Sequence, residues 1–461
     1  ILIPISIFAV ERPSVKHDIF LQGTDYELHV YRIYGKEAGT KGLIIGGIQG
    51  DEPGGYLSAD MYVDSVIEKG DLIVVPRANF KSIILFNRGA DGDMNRRFID
   101  DKTQHEMDKV VEILKSLMGE VDFFLHLHDG SGFYDPKYVN KLRNPNRWGQ
   151  SIIVDTDSIT CNGKTIEMKS IALQVIKETN KKIKNDNYHF KYFNTDTDNP
   201  KTKYKDMKKT ATYYALKNFC IPSYGLETSK NLPNDETKLR HKSYLIDEFL
   251  KIYGIKSKKL DIFLPKPILK SITLEIDNKT EEISNYSVLE LNQNQKIKIE
   301  KISSNYYRGL SCDILEFNGL NDKDLYYIVR DDTTIRCKKD HITIGEIKIK
   351  VKKDEEVKKF LVSIDGKDEY LENGSSIRIK PGSNIVIGNF DNNSSIPVNL
   401  RGFLVEGATY NDGDDRNIKI TISEKNLIKR FSKNNNGKEY EVIAGTLNNI
   451  LGKFLLIIDN N

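Results

Sequence analysis

The chain of 461 residues is 39% hydrophobic and 29% charged, and its 69 basic against 66 acidic side chains leave a formal net charge of +3. That length exceeds one ordinary core and indicates two to four domains, while the near balance of charge gives no electrostatic case for a nucleic-acid partner. No apolar run in the sequence reaches the length of a bilayer-spanning helix, so an integral membrane protein is not expected.

In chain order, residues 1–10 read either as a first strand or as the remnant of a signal peptide, since the sequence starts at Ile1 and removal of a leader is expected. Strands come next at 25–33 and 43–48, then a helix at 56–66 and a strand at 72–76. Met107, Val110, Val111, Leu114, Leu117 and Met118 recur at helical spacing and predict an amphipathic helix leading into a strand at 121–127. A strand at 152–154, a helix at 166–183, a strand at 221–226 and a helix near 239–249 complete an α/β domain with a mixed, mostly parallel sheet. The Asn-, Asp- and Lys-rich stretch 184–210 reads as a long loop near the site entrance.

Beyond 256 the pattern changes to short alternating stretches such as 272–276, 297–302 and 325–329, with turn signals at Asn373-Gly374, Pro381-Gly382, Asp412-Gly413 and Asn436-Gly437. We divide the chain into an α/β domain, 1–255, a small β-barrel-like domain, 256–340, and an immunoglobulin-like β-sandwich, 341–461, with no internal repeat evident. Lys256, Ser257, Lys258 and Lys259 read as linker or solvated surface. The four cysteines, Cys161, Cys220, Cys312 and Cys337, lack metal-knuckle spacing; Cys312 and Cys337 either pair or remain free thiols.

The stretch from Gly42 to Pro53 runs from an apolar strand into a glycine-flanked polar turn carrying Gln49 and Glu52. Ligand-binding groups of parallel sheets gather beyond the strands' carboxyl ends, although Glu52 alone also suits a helix N-terminus. Four further fragments lie downstream: Arg88; Asp93-Met94-Asn95-Arg96; the strand end His126-Leu127-His128-Asp129-Gly130; and Tyr224-Gly225-Leu226-Glu227-Thr228. This series resembles the zinc carboxypeptidase superfamily, whose pattern is His-x-x-Glu, then Arg, then Asn-Arg, then a strand-end His, then Glu. It departs where Gln49 stands in place of the first His. With that substitution and two β-rich domains after the first, the chain is most similar to the peptidoglycan D,L-carboxypeptidases that set cell shape in curved and helical bacteria.

The resemblance implies one Zn2+ held by Gln49, Glu52 and His128, with one coordination position left to water. His126 is expected to face away from the metal. The resemblance further implies Glu227 as general base, Arg88 polarising the scissile carbonyl, and Asn95 and Arg96 clamping a terminal carboxylate. Asp93 either supports a ligand or caps the chain, and Arg97 reads as structural. Trp148 is expected as a pocket wall and Thr210 as a polar substrate contact. The implied substrate is a peptidoglycan stem peptide, a muramyl tripeptide losing its terminal diaminopimelate, and the implied location is the periplasm, with protein partners assigned to the β domains. The alternatives are a zinc amidohydrolase removing acyl groups from amino acids and a non-catalytic peptidoglycan-binding relative; a panel of muropeptides and acyl-amino acids separates them.

Overall fold

The computed structural model describes residues 14–99, 105–161, 163–258, 260–317, 319–352, 356–388, 396–404, 413–447 and 449–459. The reading of residues 1–10, together with Lys259 and Asp412, lies outside these.

The N-terminal unit is built on a mixed sheet of β1 (Val15–Phe20), β2 (Leu28–Tyr34), β3 (Glu37–Ile45), β4 (Ile67–Val75), β5 (Phe123–Gly130), β6 (Ser151–Val154), β7 (Lys191–Asn194) and β8 (Ser223–Ser229). The spatial order is β1-β2-β4-β3-β5-β8-β6-β7, with β4-β3, β3-β5, β5-β8 and β6-β7 parallel. The central strands are near-continuous apolar runs because both faces are covered. Ile44, Leu72, Val74, Leu125 and Leu127 pack under α1 (Pro53–Tyr62), α4 (Met168–Asn180) and α6 (Asp235–Ile252). On the opposite face Leu43, Ile45, Ile73, Val75 and Phe124 pack under α3 (Glu106–Met118) and α5 (Ala211–Phe219). The short helix α2 (Phe80–Ile84) lies beside the turn after β3 and packs with Tyr56 of α1.

The stretch 184–210 is not simply a loop: it contributes the edge strand β7 and a 3-10 turn at Lys205–Lys209. Helix α5, absent from the sequence reading, comes directly after it. Lys256–Ser257 is not linker but pairs with β4, so the first sheet extends past 255.

The second unit has two four-stranded sheets. One orders Lys279–Ser284, Leu269–Ile276, Lys296–Ser304 and Tyr326–Ile328; the other orders Val288–Asn292, Ile342–Lys352, Thr333–Lys339 and Leu310–Ile314. Because Ile342–Lys352 pairs with both Val288–Asn292 and Thr333–Lys339, a boundary at 340 would cut through a sheet, and this unit runs to Lys352. The third unit, with its own apolar cluster, repeats the same strand order: Lys367–Glu372, Lys359–Ile364, Asn384–Ile387 and Ile420–Thr421, then Ser376–Ile379, Asn449–Ile458, Glu439–Thr446 and Val398–Leu400.

The contrast between a barrel and a different sandwich is therefore corrected, as is the absence of a repeat. Residues 271–299 align with 359–387 without a gap, matching Ile276 with Ile364, Asp277 with Asp365, Lys279 with Lys367, Asn285 with Asn373 and Ile297 with Ile385. Asp277 and Asp365 occupy equivalent two-residue hairpin turns at positive φ, 46° and 48°, and each accepts a 2.9 Å bond from a backbone amide, of Lys296 and of Asn384.

Two disulfides join Cys161 to Cys220 and Cys312 to Cys337. No helix among the described residues is long and apolar enough to cross a membrane.

Candidate functional site

The cavity of interest, about 340 Å³, opens at the carboxyl ends of β3, β5 and β8. Gln49 and Glu52 reach it from the turn between β3 and α1. That turn docks tightly: a Cβ on Gly54 would lie 2.3 Å from Asp129 Oδ1, and one on Gly55 would lie 2.7 Å from the Leu127 carbonyl oxygen. The Pro53-Gly54-Gly55 sequence thus lets the Glu52 loop press against the end of β5.

Glu52 Oε2 lies 2.9 Å from His128 Nδ1 and accepts the Asp129 amide at 3.1 Å. Gln49 donates Nε2 to Asp93 Oδ1 at 3.0 Å, which turns its carbonyl oxygen away from that carboxylate. Asp93 also accepts Arg88 Nη2 at 3.0 Å and the Asn95 amide at 3.0 Å, so it both supports a candidate ligand and caps a short turn. Asn95 accepts the Ala211 amide at 3.1 Å through Oδ1, which leaves its NH2 as the group it can offer a ligand. Arg96 lines the cavity beside it, and Arg88 Nη1 lies 3.4 Å from Glu52 Oε1. Arg97 is engaged elsewhere, with Asp108 of α3.

Glu227 sits at the end of β8 with Oε2 buried and without a hydrogen-bond partner among the described residues. Burial, and then the neighbouring Glu52 carboxylate, push its carboxyl well above the usual range. Burial likewise pushes Glu52 up to about 8, and burial together with the Lys242 charge pulls His128 down to about 3, which leaves a neutral imidazole able to donate a lone pair.

Two buried carboxyl groups whose ionised forms a nearby cation would favour, one of them with an orphaned oxygen, together with a neutral imidazole and an amide oxygen, fit a divalent cation. Among the described residues no three His, Cys, Asp or Glu side chains form a metal-binding group; the set Gln49, Glu52 and His128 contains two such side chains and an amide.

The expectation that His126 faces away is corrected. Residues two apart on a strand share a face, and His126 lines the same cavity with its ring 4.1 Å from that of His128 and its Nε2 buried without a partner among the described residues. Trp148 is a wall, packed against Phe193 and Tyr204 at 5.0 and 5.6 Å. Thr210 is not a cavity residue: it caps α5, accepting the Tyr213 amide and donating to the Met207 carbonyl, and Thr212 lines the cavity instead. Sequence reasoning also missed Lys230, which lines the cavity and pairs with Asp51, and Lys242, which lies beneath it.

A three-layer α/β domain with this donor set at its strand ends is of the carboxypeptidase class. A family model described as the catalytic part of the carboxypeptidase controlling helical cell shape matches residues 21–272, more than half of the chain. The chain belongs to that family. Among solved structures it is similar to the cell shape determinant Csd4 from Helicobacter pylori: the apo form at 24% identity and TM-score 0.55, covering 94% of this chain and 100% of that one. The tripeptide-bound form matches at 25% identity and TM-score 0.55 with the same coverage. A form bound to mDAP, described as a D,L-carboxypeptidase, matches at 24% identity and TM-score 0.54, covering 91% of this chain and 97% of that one. The fold is thus shared over nearly the whole length. A search of curated protein sequences finds no significant match.

Proposed function

We propose that the chain is a zinc-dependent D,L-carboxypeptidase that removes the terminal diaminopimelate from a muramyl tripeptide of peptidoglycan, leaving a dipeptide and thereby influencing cell shape. The observation that carries this is the donor-rich wall of Arg88, Arg96 and the Asn95 NH2 in the same cavity as the Glu52, His128 and Glu227 cluster. Such a wall suits a free terminal carboxylate. The tripeptide and mDAP bound to the Helicobacter relative support the substrate class.

Gln49, Glu52 and His128 would hold the zinc, which would supply Lewis-acid polarisation and lower the pKa of a water in the cavity. Glu227 takes the proton of the attacking water and hands it to the leaving amine. Arg88 donates to the scissile carbonyl as negative charge develops on its oxygen. Asn95 and Arg96 fix the terminal carboxylate, which places the last peptide bond beside Glu227. Trp148 closes one wall. A periplasmic location accords with the substrate and with two disulfides, which persist in oxidising compartments. The two β units position the enzyme or bind protein partners.

Purified tripeptide muropeptide should lose one residue by mass analysis, whereas the same peptide amidated at its terminus should be spared. Arg96→Lys keeps the charge, loses the planar fork and should depress cleavage of the free acid by at least about tenfold. Elemental analysis should find one zinc per chain, reduced by His128→Ala. Equal cleavage of acid and amide would transfer the chain to another class of amidase.

A further inference from the structure

We propose that Lys242 and Asp129 form a positioning pair that fixes the segments delivering Glu52, His128 and Glu227 relative to one another, and so sets the affinity of the metal-binding cluster. The proposal rests on the metal reading above, though not on the identity of the substrate.

Asp129 comes directly after His128 on β5, so its side chain falls on the opposite face of the sheet, toward α6. There it meets Lys242, and both side chains are 0% exposed, with Nζ 3.2 Å from Oδ1. Lys242 Nζ also donates to the carbonyl oxygen of His128 itself. Asp129 Oδ2 accepts the amide of Gly54, two residues after Glu52, at 2.7 Å, and Oδ1 accepts the hydroxyl of Thr228, the residue after Glu227. Each of the three functional side chains is therefore anchored, within two residues along its own segment, to one carboxylate and one ammonium. The β3–α1 turn, β5 and β8 are thus tied together at the floor of the cavity, which Asp129 also lines and beneath which Lys242 is buried.

Burying an ion pair carries a desolvation penalty, and well-packed apolar residues of similar volume often give equal or greater stability. Fold stability thus does not by itself account for the pair. Convergence of donors does: coordination tolerates displacements of only about 0.2 Å, and groups behind the ligands commonly govern metal affinity by about 10- to 100-fold.

The test uses metal-stripped full chain and Zn2+, titrated in competition with a chromophoric chelator, and then the kinetics at saturating zinc. The double substitution Asp129→Asn with Lys242→Met removes both charges together and leaves neither partner buried alone. Folded by near-UV circular dichroism, it should hold Zn2+ at least about tenfold more weakly, and at saturating zinc its kcat should stay depressed while KM moves less than about twofold. Thr228→Val deletes one strut and should weaken binding, whereas Thr228→Ser, which keeps the hydroxyl, should restore it. A folded double variant with native zinc affinity and native kcat overturns the proposal. If the double variant does not fold, Thr228→Val and Thr228→Ser decide: values equal to the native chain for both overturn it as well. A native chain that binds no zinc instead overturns the metal reading, and this pair's role with it.

Discussion

At Glu227 the distinction between shape and proton transfer is testable with one atom. Glu227→Gln keeps the volume and cannot accept a proton; it should fold, retain zinc and lose at least about 100-fold in kcat, and near-native turnover would remove the residue from the chemistry. Behind the cavity wall, Asp155 carries a second measurable signature. It is buried at the end of β6 and accepts the Thr197 hydroxyl at 2.6 Å. Burial pushes it up to about 6, against the opposing hydrogen bonds from Thr197 and Thr212. A carboxyl raised in the folded state contributes stability that is fully present below its unfolded value, about 4, and lost as pH rises through about 6, a change of roughly 3 kcal/mol. Urea unfolding between pH 4 and 7 should show this decline in the native chain and a flatter profile in Asp155→Asn; parallel profiles would show that Asp155 does not titrate in that window.

The elements of the two β units show how one solution is written twice. In the stretches 271–299 and 359–387 most of the buried apolar positions coincide, among them Ile272 with Phe360, Leu274 with Val362, Ile283 with Leu371 and Leu291 with Ile379. The intervening exposed residues mostly differ, as expected where packing constrains only one face of each strand. The second unit carries a covalent tie, since Cys312 and Cys337 are directly opposed on adjacent strands. Replacing both by alanine should lower stability by about 3 kcal/mol, from the roughly 25-residue loop the bridge closes, read as a fall in Tm. Cleavage of a soluble muropeptide at a temperature where the variant stays folded should remain within about twofold of native, because among the described residues no side chain of this unit lines the cavity. A large loss of turnover under those conditions would give the second unit a part in catalysis.

Across the whole molecule, the catalytic unit and the second unit meet at buried charge. Arg77 donates to Asp60 at 2.7 Å and to Asp340 at 2.5 Å, while Arg308 reaches Asp60 at 2.8 Å and Asp64 at 2.6 Å. Burial raises Asp60 and Asp340, but the adjacent cationic side chains outweigh it and hold both below the ordinary carboxylate range. Their contribution is therefore present above about pH 4 and lost as pH falls further. Asp340→Ala leaves Arg77 partly unpaired in a buried interface and should cost about 3–5 kcal/mol. It should lower Tm and speed chymotryptic cleavage after the exposed Phe263 in the irregular stretch 260–268; an unchanged digestion pattern would show that this contact does not hold the units together.

Local periodicity and short motifs are enough to specify the buried parallel strands, the amphipathic helix at Glu106–Met118, the strand-end turn with Gln49 and Glu52, and the series through Arg88, Asn95, Arg96, His128 and Glu227. Those signals are local because burial on one face writes a period into neighbouring residues. The placement of His126 was open to the same logic, since period two puts it beside His128. Other features arise only once distant segments are packed together. Thr210 and Thr212 are both plausible polar contacts until the cap of α5 commits Thr210 to the backbone and leaves Thr212 to the cavity. The repeat between the β units rests on buried alternation and turn geometry rather than on composition. Lys242 lies 114 residues from the His128 carbonyl it binds and sits on a helix whose sequence is rich in charge. A lysine there reads as solvated until the fold carries it under the sheet, where an ammonium without water must find a carboxylate.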